Sequence, residues 1–317
     1  MSRRISLSQE VLSEDLGQRV DALTAKYFPQ FSRAHIQRWI KDGDLLLNHE
    51  RIKSRHIVKA GDLITVEASE EISLKDLPEK IDLDIIREDD DILVLNKPAG
   101  LVVHPGAGNA DGTLVNGLLN YVPDLGFLPR AGIVHRLDKD TSGIMVVAKN
   151  ETSYLNLIDQ LKNRTVKRKY LAVVVGQPVS GGVIDKPIGR HPKHRTKQAI
   201  VSSGKEAITD YKIKEKFDGY TLLLASLKTG RTHQIRVHFS SNDFPIVGDP
   251  LYGGKQKFAP GTSEGLRKKL AEINRQALHA YSLSFNHPIN KKVITNSAPM
   301  PPDMEKLIEN LRQDASN

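Results

Sequence analysis

The sequence predicts an α+β protein: a small α/β module, then a larger domain built on a mixed, mainly antiparallel β-sheet with flanking helices. Three observations lead there. Strand-like apolar runs outnumber helical segments in the last three quarters of the chain, and the two do not alternate as parallel crossover units would. A compact basic region with its own apolar periodicity occupies residues 17–68. A polar stretch without a period, residues 69–80, separates the two.

In chain order, residues 1–16 are polar and acidic behind a basic start and are expected to be a flexible lead-in. Residues 17–76 are expected to form the small module. A first helix spans about Val20 to Tyr27. A second runs over 32–43, with Ser32 as N-cap and Gly43 in the left-handed position that ends it. Ile36, Trp39 and Ile40 fall at i, i+3 and i+4, one apolar face for the first helix to cover. Strand-like pieces follow at Leu45–Asn48 and Asp62–Val66, with the basic stretch Arg51 to Arg55 between them. The larger domain is expected over 81–317. Its strands are read at 92–95, 101–103, 144–147, 170–175, 221–224 and 234–237, and its helices near 114–119, 154–162 and 264–274.

The 317 residues suffice for two domains. No run of about 18 apolar residues exists, so no membrane span is expected, and the N-terminus lacks the apolar stretch of a secretory signal. The absence of cysteine excludes disulfides, thiolate catalysis and Cys-ligated zinc, and fits a cytoplasmic protein. The net charge of +8 favours polyanionic partners. Within residues 31–60 seven bases (Arg33, Arg38, Lys41, Arg51, Lys53, Arg55 and Lys59) face three acids, Asp42, Asp44 and Glu50. That pattern suits either a phosphate backbone or a merely solvated face.

The segment with chemistry in it is 131–149, where two apolar runs bracket His135-Arg136-Leu137-Asp138-Lys139-Asp140-Thr141-Ser142-Gly143. Asp138 would sit where a strand gives way to a loop, held by a scaffold yet open to a ligand. By spacing alone the segment is equally a polar turn. His135, Asp138 and Asp140 also suggest a metal site, although a strand would send His135 and Asp138 to opposite faces. Ser142 with His135 and Asp138 could mimic a hydrolytic triad. No phosphate-binding loop and no Gly-x-Gly-x-x-Gly fingerprint occurs.

Two resemblances bear on these alternatives. Arg19-Val20-Asp21, Ser32-Arg33, Ile40-Lys41-Asp42-Gly43, Leu47-Asn48 and Lys59-Ala60-Gly61-Asp62 resemble an S4 domain, which implies binding of structured RNA through Arg33, Arg38, Lys41, Arg51, Lys53 and Arg55. The nine residues 135–143 resemble the signature of the RluA family of pseudouridine synthases. Further blocks agree, in family order: Asn96 to Pro105, Lys167-Arg168-Lys169-Tyr170, Thr229 to His238 and Gly248 to Gly254. The resemblance implies that Asp138 is the essential carboxylate. It also implies that Arg231 pairs with Asp138, that Tyr170 stacks on uracil and serves as a late base, and that Arg136 helps displace the flipped base. It implies no cofactor and no metal.

The S4-like module, together with 104–109 and 111–116, resembles most closely the members that modify several uridines of one stem-loop in large-subunit ribosomal RNA. A sibling branch acting elsewhere on that RNA is the nearest alternative, and a ribosome-assembly RNA-binding protein without catalysis is another. The expected partner is ribosomal RNA, free or in an assembling large subunit, and the expected state is a monomer with no membrane contact.

Overall fold

The computed structural model describes every residue except 1, 30, 32, 72–76, 107, 195, 254–257 and 315–317. The Ser32 cap, the middle of the 69–80 linker with the module's end at 76, Ala107 and Gly254 therefore lie outside the described residues.

The first unit opens with strand β1 (Ser2–Glu10), continues through helices α1 (Val20–Tyr27) and α2 (Arg33–Asp42), and adds strands β2 (Leu45–Leu47) and β3 (Leu63–Glu71). Its sheet has the order β1-β3-β2, antiparallel throughout. The lead-in expected at 1–16 is thus in large part a strand, paired with β3 from Ser2–Glu71 to Glu10–Leu63. Its buried Ile5 and partly buried Leu7 alternate with Ser6 and Ser8, a period-2 signal hidden among polar residues. The predicted stripe is buried: Ile36, Trp39 and Ile40 join Val20, Leu23, Leu45 and Ile64 in a separate small core.

The second unit contains β4 (Asp84–Glu88), β5 (Ile92–Lys97), α3 (Leu114–Tyr121), β6 (Ser142–Ala148), α4 (Glu151–Lys162) and β7 (Lys167–Val175). It continues with β8 (Gly182–Asp185), β9 (Ile188–Arg190), β10 (Gln198–Ile200), β11 (Ile208–Lys216) and β12 (Tyr220–Leu227). Helices α5 (Gln234–Ser240) and α6 (Glu264–Ala271), strands β13 (Leu278–Asn286) and β14 (Val293–Ser297), and helix α7 (Pro302–Asp314) complete it. The main sheet runs β4-β5-β6-β13-β7-β12-β11-β8, with β14 on the side of β13, and β9 pairs with β10 apart from it. Only the β6–β13 pairing is parallel among these ladders, which is the mixed, mainly antiparallel sheet expected.

Three local expectations fail. Residues 101–103 are not a strand, although the carbonyls of Val102 and Val103 accept the first amides of α3. Residues 234–237 form the start of helix α5, because six buried residues from Gln234 to Phe239 pack on all sides of one short turn-and-a-half and leave no exposed face to mark its period. The run before Asp138 is a 3-10 turn (Pro129–Gly132) and a single bridge from Ile133 to Val147, with 134–138 irregular.

Candidate active site

Asp138 stands on the loop between that bridge and β6. The loop is pinned from below. Lys97, wholly buried at the end of β5, donates through Nζ to the carbonyls of Pro98 (2.8 Å), Leu101 (2.9 Å) and Lys139 (2.9 Å). Burial lowers the Lys97 ammonium to about 8, with Asp140 and Asp138 opposing the shift. The Thr141 amide donates to the Asp138 carbonyl at 3.1 Å. Just beyond, Gly143 has φ +120°, and a Cβ there would lie 2.3 Å from the Ala280 carbonyl oxygen, so only glycine lets β6 approach β13.

The carboxylate of Asp138 receives Arg236 Nη1 on Oδ2 at 2.9 Å. Arg236 is 4% exposed, and its other donors are taken by Asp249: Nε to Oδ2 at 2.7 Å and Nη2 to Oδ1 at 2.9 Å. Burial works against the charge of Arg236, but the two carboxylates outweigh it and hold the guanidinium above its ordinary range. Asp249 is itself fixed by the amides of Leu251 and Tyr252, each at 2.9 Å. The Tyr252 ring lies under the guanidinium, 5.1 Å from its carbon.

The expected partner, Arg231, does not reach Asp138. Its Nε donates to the Glu206 carbonyl at 2.9 Å, and its side chain lines the mouth of the cavity. The arginine motif 229–238 holds two arginines, and the resemblance assigned the pairing to the first of them. Helix α5 instead turns Arg236 inward, and Gln234 Oε1 caps the turn by accepting the Arg231 amide at 3.0 Å. A second neighbour comes from the same motif. His233, in the left-handed region at φ 56°, places Nε2 3.8 Å from Asp138 Oδ1. Tyr252 Oη accepts the Gln198 amide at 2.8 Å and shares a second hydrogen bond with His233 Nδ1, also at 2.8 Å. Burial lowers the His233 imidazole, with Asp138 opposing the shift.

These groups open into one cavity of about 550 Å³, a size suited to a nucleotide. Tyr170, on β7 and 7% exposed, lines it with Asp138, as does the exposed Arg136. Burial raises the Tyr170 phenol and keeps it protonated in the free protein. Arg130, Lys162, Arg164, Lys228 and Arg231 add positive charge to the lining.

The alternative chemistries lose their geometry. His135 Nε2 accepts the Val146 amide at 3.1 Å, and burial lowers its imidazole to about 3. The Ser142 hydroxyl donates to buried His279 Nδ1 at 2.9 Å, whose Nε2 serves the Ala298 carbonyl, so no triad forms with His135. Among the described residues the acid–histidine group close enough to share an ion is Asp89, Asp91 and His287, not His135, Asp138 and Asp140. His287 Nδ1 accepts the amides of Ile289 and Asn290, which leaves its Nε2 proton directed at Asp89 (3.2 Å). That cluster is a hydrogen-bonded clasp.

The residues expected to bind RNA in the first unit divide. Lys41, Lys53 and Arg55 are exposed. Arg33 is exposed too, but it forks onto the wholly buried Asp21, which also binds Arg19 and Gln37. Arg38 Nη2 meets His35 Nε2 at 2.8 Å, and Arg51 folds over Gly43 toward the Asp42 carbonyl.

A paired carboxylate under a buried tyrosine suits an uncharged base brought in by a charged polymer, and comparison with known proteins agrees. Residues 91–241 match the family described as RNA pseudouridylate synthase, and residues 18–64 match the S4 domain. The chain belongs to the RNA pseudouridylate synthase family. Within it, the chain is similar over nearly its whole length to proteins named ribosomal large subunit pseudouridine synthase D. It is 49% identical to that of Xanthomonas campestris pv. campestris over 98% of this chain and 94% of the relative. Identity is 48% for Pseudomonas aeruginosa (99% and 98%) and 46% for Escherichia coli strain K12 (99% and 97%). The solved structure of human RNA Pseudouridylate Synthase Domain Containing 4 is 28% identical, with a TM-score of 0.57 over 72% of this chain and 93% of that one. These relatives carry the name of the branch expected from the S4-like module and the blocks at 104–116.

Proposed function

We propose that this protein isomerises uridine to pseudouridine at sites in large-subunit (23S) ribosomal RNA, with Asp138 as the essential carboxylate. The observation that carries the reading is the 2.9 Å bond from buried Arg236 to Asp138 Oδ2 on the floor of a cavity with a basic lining. The names of relatives at 46–49% identity supply the substrate class.

The reaction breaks the C1′–N1 bond, turns the uracil and joins C1′ to C5. The hydrogen leaving C5 is balanced by the proton gained at N1, so no oxidant, reductant or transferred group is needed. The target nucleotide leaves the stack to reach the site. Arg236 occupies Oδ2, which leaves Oδ1 as the atom that attacks the nucleotide or removes its proton. Tyr170 supplies the face on which the uracil rests and turns. Arg136 stands at the entrance, where it can take the space that the base vacates. The S4 domain grips RNA at a distance, through exposed Lys41, Lys53 and Arg55. Asp138, Arg236, His233 and Tyr170 meet within a single fold, which supports a monomer as the acting unit. It acts in the cytoplasm, on free RNA or on an assembling large subunit.

The test is pseudouridine mapping of unmodified 23S ribosomal RNA treated with wild-type or Asp138→Ala protein. Modification by the wild type alone is expected. Modification by the variant would remove Asp138 as catalyst, and modification by neither would leave an RNA-binding protein.

A further inference from the structure

Arg168 lies two residues before Tyr170 on β7, so both side chains leave the same face of the strand, and both line the cavity above Asp138. Its Nε is buried and has no hydrogen-bond partner, and among the described residues no carboxylate pairs with its guanidinium. The other inward-held arginines are treated differently: Arg236 has Asp138 and Asp249, and Arg275 has Asp303. The position of Arg168 is nonetheless built. A Cβ on Gly230 would lie 2.5 Å from Nη1, so the bare backbone at 230 is what admits the guanidinium. Its charge acts on Tyr170 and on His135, which places it beside the ring expected to carry the base.

Burying the Nε–H of a guanidinium without an acceptor costs free energy, while its outer nitrogens stay open to the cavity. Such a cost is characteristic of a group that meets its partner only when substrate arrives. We propose that Arg168 is a substrate-binding residue that donates to an oxygen of the target nucleotide, supplied by a uracil carbonyl or by the phosphate next to it. This rests on the reading of the Asp138 cavity as the uridine site. A carbonyl contact would also select the base, because uracil offers oxygen acceptors on both sides of N3 where cytosine puts an amino group on one.

The test compares wild type, Arg168→Met and Gly230→Ala on unmodified 23S ribosomal RNA, in single-turnover rate, half-saturating enzyme concentration and Tm. Arg168→Met should lose roughly 10- to 100-fold in rate or in half-saturation, the scale of one hydrogen bond to a charged group, with a Tm that holds or rises because a buried donor without an acceptor is gone. Gly230→Ala, which displaces the guanidinium and keeps its charge, should show a smaller loss of the same kind. A loss in half-saturation with a shallower salt dependence assigns the oxygen to phosphate. A loss in rate with unchanged salt dependence assigns it to uracil. Unchanged kinetics in Arg168→Met overturn the inference whatever the Tm. So does a kinetic loss accompanied by a falling Tm, which would mark a structural arginine. Asp138→Asn runs alongside: its retaining activity would sink the reading of the cavity itself, independently of Arg168.

Discussion

Arg236 Nη1 meets Asp138 Oδ2 at 2.9 Å while its Nε and Nη2 are both held by Asp249, so one guanidinium joins a cavity-facing carboxylate to a buried one. The carboxylate that faces the cavity is thereby oriented through a residue that never leaves the protein interior. Arg236→Ala should therefore lower the single-turnover rate by at least roughly 10- to 100-fold, the value of a charge-assisted bond. It should also destabilise the fold, since Asp249 is left buried without its partner. Arg231→Ala should leave the rate constant within about threefold and raise the half-saturating concentration instead, as expected for a rim contact. The reverse ranking of the two variants would restore Arg231 as the partner of Asp138.

His135 gives a stability signature in acid. Its folded-state imidazole lies near 3 against an ordinary value of 6.5, so the unfolded chain binds the proton first. Its contribution is complete above about pH 6.5 and is lost as pH falls toward 3, with a slope of up to about 1.4 kcal/mol per pH unit. Melting curves from pH 7 to pH 4 should show a shallower decline for His135→Gln than for the wild type. Parallel curves would mean that the buried ring is not held neutral. The neutral ring accepts the Val146 amide, so the signature reports on the anchoring of the Asp138 loop.

In the S4 unit, exposed and internally paired arginines should separate. Replacing Lys41, Lys53 and Arg55 together by Ala should flatten the log–log salt dependence of RNA affinity by about 0.7–0.9 for each phosphate no longer neutralised, with Tm unchanged. Arg33→Ala should instead cost stability on the order of 1–3 kcal/mol, because Asp21 is wholly buried beneath its fork. Equal salt slopes in the triple variant and the wild type would move the RNA grip elsewhere.

Much of this was legible because it is local. The Ile36, Trp39, Ile40 stripe repeats at helical spacing over one face and is buried as expected, and the contiguous block 135–143 holds the carboxylate. What escaped was set by tertiary context. Helix α5 is seven residues long and buried from Gln234 to Phe239, so no polar face marks its period, and two arginines five apart could not be ranked. Strand β1 hid its alternation behind serines, and its partner β3 lies some sixty residues away. The His233–Tyr252 contact joins a strained helix start to a loop 19 residues on, a pairing with no trace in spacing.

The shared guanidinium has one more consequence. Two carboxylates against one arginine leave the Asp138–Arg236–Asp249 triad with a net charge of −1, beneath a cavity lining rich in arginine and lysine. The layers act as an electrostatic sieve. A polynucleotide is drawn to the entrance by its phosphates, and the same phosphates are repelled from the floor. What can descend without penalty is the one part of a nucleotide that carries no charge, its base.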